Sequence, residues 1–258
     1  YPRRRKNTWL GLLLLLVLAI AAGAGALLSA RSKQEVPEPV KLVRTEIKGV
    51  HVLEVDPALA DIRPAMAQGP KGAGEYFSEM VERLKPDAAI NGTFYGEDMR
   101  PLGDIMIDGE LVAKGHYPNA FAITRNGRAT MLRGTKRHID WSRCRSGVAA
   151  GPRLLHLGEI RLNPNADGFR KSSLTKSAPR SGIGITKDGK VLLVTSTRPM
   201  LLREFAETML ALGAVDAMNL DGGGACGLYF KERTHVSPYL PMTNLLVVHE
   251  RRPTRQER

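Results

Sequence analysis

Three dipeptides constrain the fold of this chain most: Asp108-Gly109, Asn126-Gly127 and Asp188-Gly189. Each lies between two short apolar runs. Ile105-Met106-Ile107 precedes the first and Leu111-Val112 follows it. Phe121-Ala122-Ile123 and Thr130-Met131-Leu132 flank the second, and Ile183-Gly184-Ile185 and Val191-Leu192-Leu193-Val194 flank the third. A two-residue turn of this kind needs positive φ, which Asn, Asp and Gly adopt most readily, and its twist suits antiparallel neighbours. A fourth hairpin is expected over residues 42–55, turning at Lys48-Gly49. Asp87 to Ile90 reads as a strand that stops at Asn91-Gly92, and Leu245 to Val248 as the last strand.

Helical spacing is rarer. Tyr76, Phe77, Met80, Val81 and Leu84 form one stripe that ends before Pro86. Leu201, Phe205, Met209 and Leu212 form a second, with Pro199 suited to its first turn, Glu204 and Glu207 early, and Gly213 at its stop. The strand Val215 to Leu220 follows, so Val191 to Leu220 makes one strand-helix-strand unit. The expected class is α+β, or mixed α/β: one domain of mixed, mostly antiparallel sheets built from hairpins, with a few packing helices.

The N-terminus has a different character. Arg3, Arg4, Arg5 and Lys6 precede residues 8–30, which carry no charge and are rich in Leu, Ala and Gly. As a helix that run is about 34 Å long, enough to span a bilayer. The basic flank exceeds Arg31 and Lys33, which keeps the N-terminus cytoplasmic and exports the rest. Its length favours a permanent anchor, while Ala24-Gly25-Ala26 and Leu28-Ser29-Ala30 would suit cleavage of a signal segment. The expected organisation is a basic cytoplasmic flank (1–7), an anchor or signal helix (8–30), a linker (31–41), one domain (42–249) and a basic tail (250–258). That domain is extracytoplasmic, and secreted if the segment is cleaved.

The net charge is +12 over 258 residues. Outside the two ends it is scattered, and no helix-turn-helix, zinc-finger or aromatic RNA-binding pattern accompanies it, so nucleic acid is not an expected partner. Anionic head groups or phosphate-bearing polymers suit the charge better. Cys144 and Cys226 are too few for a disulfide scaffold or zinc module. They pair in an oxidising compartment or remain two buried thiols. The six histidines are dispersed without metal-ligand spacing.

One motif carries chemistry: Asn219-Leu220-Asp221-Gly222-Gly223-Gly224 at the end of a buried strand. Glycines there give up packing side chains, admit positive φ and let a ligand approach the main chain. Consecutive N–H groups at Gly222, Gly223 and Gly224 can face an anion. An acid before glycine is also ordinary turn chemistry. No Gly-Lys-Ser/Thr follows, which excludes a P-loop, and no long helix pattern opens, which excludes a dinucleotide fingerprint.

Four pieces recur in order: Asn91-Gly92-Thr93-Phe94, Gly151-Pro152-Arg153-Leu154, Pro179-Arg180-Ser181-Gly182-Ile183-Gly184, and the Asp221 motif after a helix. In that order the chain resembles the phosphodiester glycosidase domain family from about Leu42 to His249. The resemblance implies cleavage of a sugar-1-phosphodiester in envelope glycans or glycolipids. Two departures stand out. Ala225 replaces the family's usual Ser or Thr after the glycines, which keeps open an inactive phosphate- or polysaccharide-binding module of an exopolysaccharide or envelope system. Thr93 stands where a second glycine is common.

The roles implied are these. Asp221 serves as base, nucleophile or metal ligand. Arg180 matches the family arginine and binds phosphate through its fork, or forms a structural ion pair. Asn91 orients a sugar hydroxyl or Asp221, or merely forms the turn. Glu204 is a second carboxylate or an exposed helix acid. Thr93, Phe94 and Tyr95 lie beside Asn91, with Phe94 and Tyr95 able to stack on a sugar face and Phe94 suited to packing. The hydrolysis needs no redox cofactor. A divalent metal is compatible with it and is not readable from the residues.

Overall fold

The structure, a computed structural model, describes residues 38–69, 73–135, 138–169, 174 and 176–251. The apolar segment 8–30, its basic flank and nearly all of the tail 250–258 lie outside the described residues. No helix among the described residues is long and apolar enough to cross a membrane.

In chain order the first strands are β1 (Val40–Val43), β2 (Val50–Val55), β3 (Ala60–Met66), β4 (Ala88–Asn91), β5 (Ile105–Ile107), β6 (Glu110–Ala113), β7 (Asn119–Thr124), β8 (Ala129–Arg133) and β9 (Cys144–Ala150). They continue as β10 (Arg153–His156), β11 (Glu159–Ile160), β12 (Ala178–Thr186), β13 (Val191–Met200), β14 (Ala214–Asn219), β15 (Leu228–Phe230), β16 (Arg233–Val236) and β17 (Asn244–Glu250). Helix α1 (Phe77–Leu84) precedes β4, and α2 (Leu202–Ala211) joins β13 to β14.

Three sheets result. The largest runs β1-β2-β13-β12-β14-β10-β11, the second β16-β15-β4-β17-β3 and the third β6-β5-β9-β7-β8. Strand pairing among the described residues is antiparallel throughout, so the expected mixture of senses is not found. The strand-helix-strand unit explains the difference. β13 and β14 do run parallel, but β12 lies between them and bonds antiparallel to both. The Asp108-Gly109 turn has φ of 49° and 88° and pairs Ile107 with Glu110, as a two-residue hairpin requires.

The faces of the largest sheet are shared out by period-two alternation. Ile183, Ile185, Leu193 and Met218 point to a core that includes Ile62, Ile90 and Leu246 of the second sheet and Ile105, Phe121 and Val148 of the third. Leu192, Val194 and Ala217 point the other way, toward Phe205, Ala206 and Met209 of α2. Helix α1 lays Phe77 and Met80 on the outer face of the second sheet, against Ala89, Leu245 and Val247.

Two details of α2 differ from expectation. Pro199 lies in β13, not in the helix, because the strand runs on to Met200. Leu201 is the exposed residue just before the helix; Leu202 takes its place inside.

Candidate active site

The ends of three strands meet at one place. β4 stops at Asn91, β14 stops at Asn219, and β17 starts at Asn244. From β14 the chain continues through Leu220 and Asp221 into a 3₁₀ turn, Gly223–Ala225, and then enters β15 of the second sheet. The glycine segment is therefore the bridge between two sheets.

Asn91 braces this bridge at both ends. Its side-chain amide donates to the Asp221 carbonyl at 2.8 Å and accepts the Gly227 N–H at 3.1 Å. The Asp221 N–H donates in turn to the Gly92 carbonyl at 3.1 Å. Asn244 does the same for the neighbouring turn, accepting the Thr93 N–H at 3.0 Å. Only glycine fits at 92, since a Cβ there would stand 1.7 Å from Asn244 Oδ1.

Asp221 is half-buried, and its Oδ1 accepts the Gly222 N–H at 2.8 Å. Burial raises the carboxyl from its ordinary 3.8 to about 6, and the bond from Gly222 only partly opposes this. The charge of Asp221 reaches two phenols, Tyr95 and Tyr117, and adds to the burial that pushes both upward. Tyr95 donates its hydroxyl to the Pro241 carbonyl at 2.7 Å.

Tyr117 belongs to an aromatic wall. Its ring stacks on Phe169, with centroids 4.7 Å apart and planes at 15°. Phe94 meets Tyr117 edge-on at 5.7 Å and Phe169 at 5.4 Å. Phe169 reaches Gly151, where a Cβ would lie 3.1 Å from its ring and 3.5 Å from Asn119 Nδ2. The Gly151 carbonyl accepts Asn219 Nδ2 at 3.2 Å. Among the described residues three buried side-chain atoms in this region have no hydrogen-bond partner: Thr93 Oγ1, Asn119 Nδ2 and Asn219 Oδ1. Unpartnered buried polar atoms are rare in proteins. Two of the three belong to Asn119 and Asn219, whose amides both approach Gly151.

The model of a known family, phosphodiester glycosidase, matches residues 85–254. The chain belongs to the phosphodiester glycosidase family. Among solved structures it is similar to a hypothetical protein from Synechocystis, with a TM-score of 0.66 and 18% identity over 82% of this chain. It spans 61% of that protein's length. It is also similar to the zebrafish N-acetylglucosamine-1-phosphodiester alpha-N-acetylglucosaminidase catalytic domain auto-inhibited by pro-peptide. There the TM-score is 0.66 and the identity 20%, over 85% of this chain and 86% of that one. At these identities the likeness establishes the fold. No curated protein sequence matches the chain.

Set against the residues that the family motifs single out, Asn91 and Asp221 come into direct contact, whereas Glu204 does not join them. Glu204 opens α2, where its carboxylate accepts the Leu201 N–H at 2.8 Å and faces Arg198 at 3.9 Å. Arg180 does not form the structural ion pair expected as one of its two readings. It is 2% exposed and forms no ion pair among the described residues. Its guanidinium group donates to the carbonyls of Met200 and Leu174, each at 3.0 Å, and to that of Lys176. Burial lowers its pKa from the ordinary arginine value.

Arg180 is still near the motif. The Leu220 N–H bonds to the Ser181 carbonyl at 2.8 Å, which continues the pairing of Gly182 with Asn219 and brings the Asp221 main chain beside Arg180. The Cys226 thiol feels both charges, and burial pushes it up to about 12. Cys226 and Cys144 are both buried and free, so no disulfide links them.

Gly222 uses its N–H on Asp221 and leaves only Gly223 and Gly224 at the open start of the 3₁₀ turn. Ala225 is buried, its N–H bonded to the Gly222 carbonyl at 3.2 Å. Thr93 is buried and Phe94 packs in the aromatic wall. Among the described residues no three His, Cys, Asp or Glu side chains gather as a metal site. Tyr117, Asn119, Phe169 and Asn244 are the site residues that sequence reasoning misses. No local signal marks them, since each reaches the site through long-range pairing.

Proposed function

We propose that this chain hydrolyses the glycosidic bond between a sugar and a phosphodiester, with Asp221 as the reacting carboxylate. The observation that supports this most is the placement of Asp221. It is half-buried, its main-chain carbonyl is braced by Asn91, and its carboxyl is raised to about 6. Near neutral pH such a carboxyl is mostly ionised and is a stronger base than an exposed aspartate. As base it takes a proton from water while the water oxygen bonds to the anomeric carbon. The carbon–oxygen bond to phosphate breaks, and the phosphate leaves with the electron pair. As nucleophile it bonds to that carbon first, and water releases the sugar afterwards. The leaving phosphate is acidic and needs little protonation.

The zebrafish relative is named for a sugar-1-phosphodiester, and we carry that class of substrate here, set in envelope glycans or glycolipids. We also propose that residues 8–30 anchor or export the domain, so that it works outside the cytoplasm. A C-terminal reporter that is active only in the cytoplasm would refute that location. An inactive phosphate-binding module suits the site less well, because a buried carboxylate repels the anion it would hold.

The test is an assay on sugar-1-phosphodiesters, with and without divalent metal. Asp221→Asn is expected to lower turnover about 10²–10⁴-fold with the fold intact. A folded Asp221→Asn protein with near wild-type turnover would remove Asp221 from the chemistry.

A further inference from the structure

Tyr117 is a buried aromatic group in the field of Asp221 whose hydroxyl has no hydrogen-bond partner among the described residues, whereas Tyr239, over Gly224, is exposed. The ring is 6% exposed and held on two sides, stacked on Phe169 and met edge-on by Phe94. His116 lies 4.7 Å from it, centroid to centroid. A ring so packed has little freedom to turn its hydroxyl elsewhere. Tyr95, the other phenol within the field of Asp221, already donates to Pro241. The Tyr117 hydroxyl finds no acceptor among the described residues. It is not one of the enclosed unpartnered atoms, so the oxygen reaches solvent and is free to meet a ligand. The unpartnered Asn119 amide is two residues further along the chain.

We propose that the Tyr117 hydroxyl is a catalytic hydrogen-bond donor of this site, directed at the phosphate oxygen that takes up negative charge as the sugar–phosphate bond breaks. This rests on the reading of the chain as a phosphodiester glycosidase. The aromatic wall fixes the donor before substrate arrives, which is the condition under which a single hydrogen bond to developing charge accelerates a reaction. No proton is transferred. Burial and the nearby Asp221 charge keep the phenol protonated at any working pH, so it remains a donor while the carboxylate acts as base or nucleophile. The division of labour is between a negative group for the sugar carbon and a neutral donor for the leaving oxygen.

The experiment compares the full chain with Tyr117→Phe on two sugar-1-phosphodiesters, one with an alkyl ester and one with a nitrophenyl ester on the phosphate. Phe keeps the stack and removes only the hydroxyl. On the alkyl diester kcat is expected to fall about 10²-fold. KM should stay within about threefold, as for an interaction made only in the transition state. The deficit should shrink on the nitrophenyl diester, whose more acidic leaving group needs less stabilisation. A purely structural tyrosine would weaken both substrates alike and lower the melting temperature. Turnover within about twofold of wild type on both, or equal deficits on both, overturns the assignment. A wild type silent on both diesters overturns the proposed function itself, and the assignment of Tyr117 with it. That outcome is distinct from an active wild type matched by its variant.

Discussion

At Asp221 the fold opposes the ionised form of one of its own residues. The carboxyl is raised from 3.8 in the open chain to about 6 in the fold, so folding favours the protonated form. That contribution is complete below about pH 4 and is lost as pH rises through about 6. Above that pH the ionised group costs stability on the order of 3 kcal/mol. Asp221→Asn keeps an oxygen to accept the Gly222 N–H and removes the charge. We expect it to raise the melting temperature at pH 8 and to leave it nearly unchanged at pH 4. Thermal unfolding at the two pH values reads this directly, and an equal shift at both would disprove it. The same group predicts an acid limb in kcat/KM near pH 6, with activity falling as the carboxylate is protonated. The Asp221 segment stands out in the sequence because its pattern is local, an acid followed by three glycines at a strand end. The partners of Arg180 are not legible, because sequence shows an arginine's type but not its acceptors, which here are the carbonyls of Met200, Leu174 and Lys176.

At the scale of elements the hairpins were legible because turn and strands sit side by side in the chain. The Asp108-Gly109 turn lies where its φ preference puts it. What sequence hides is the face that a strand shows to a helix. Gly182 and Gly184 look like weak points in β12. Each instead makes room for α2, since a Cβ would lie 2.7 Å from the Phe205 ring at Gly182 and 2.8 Å from the Met209 methyl at Gly184. Gly182→Ala is therefore expected to push Phe205 out and destabilise the fold by about 1–3 kcal/mol. Chemical denaturation would show it as an earlier midpoint, and Phe205→Leu should restore part of the loss in the double variant. Glu204 answers to the second of its two readings, an exposed helix acid, since an acid three residues into a helix bonds the free N–H at its start.

For the whole molecule, the question is what makes three sheets one cooperative body. Part of the answer is the core they share, and part is polar. Arg145 on β9 pairs with Asp61 on β3, and Ser146 donates to the Ile62 carbonyl at 2.9 Å, which ties the third sheet to the second. The Asp221 bridge ties the first to the second, and Asn91 closes it from both ends. None of these links spans fewer than 84 residues, so none is visible as a local pattern, even though Asn91 and Asp221 can each be singled out. The site thus lies on a joint between sheets and should be as rigid as the fold itself. The N–H groups of Asp221 and Gly227 are expected to exchange with solvent only through global unfolding. Their protection, measured by native-state hydrogen exchange across a denaturant series, should merge with that of β12 and β14. Asn91→Ala would leave the Asp221 carbonyl and the Gly227 N–H without partners, costing on the order of 2–4 kcal/mol. It should also separate the two regions, with the bridge opening locally before the sheets. If Asp221 and Gly227 in the wild type already exchange by local opening, the bridge is a flexible loop and cannot hold its carboxylate in place.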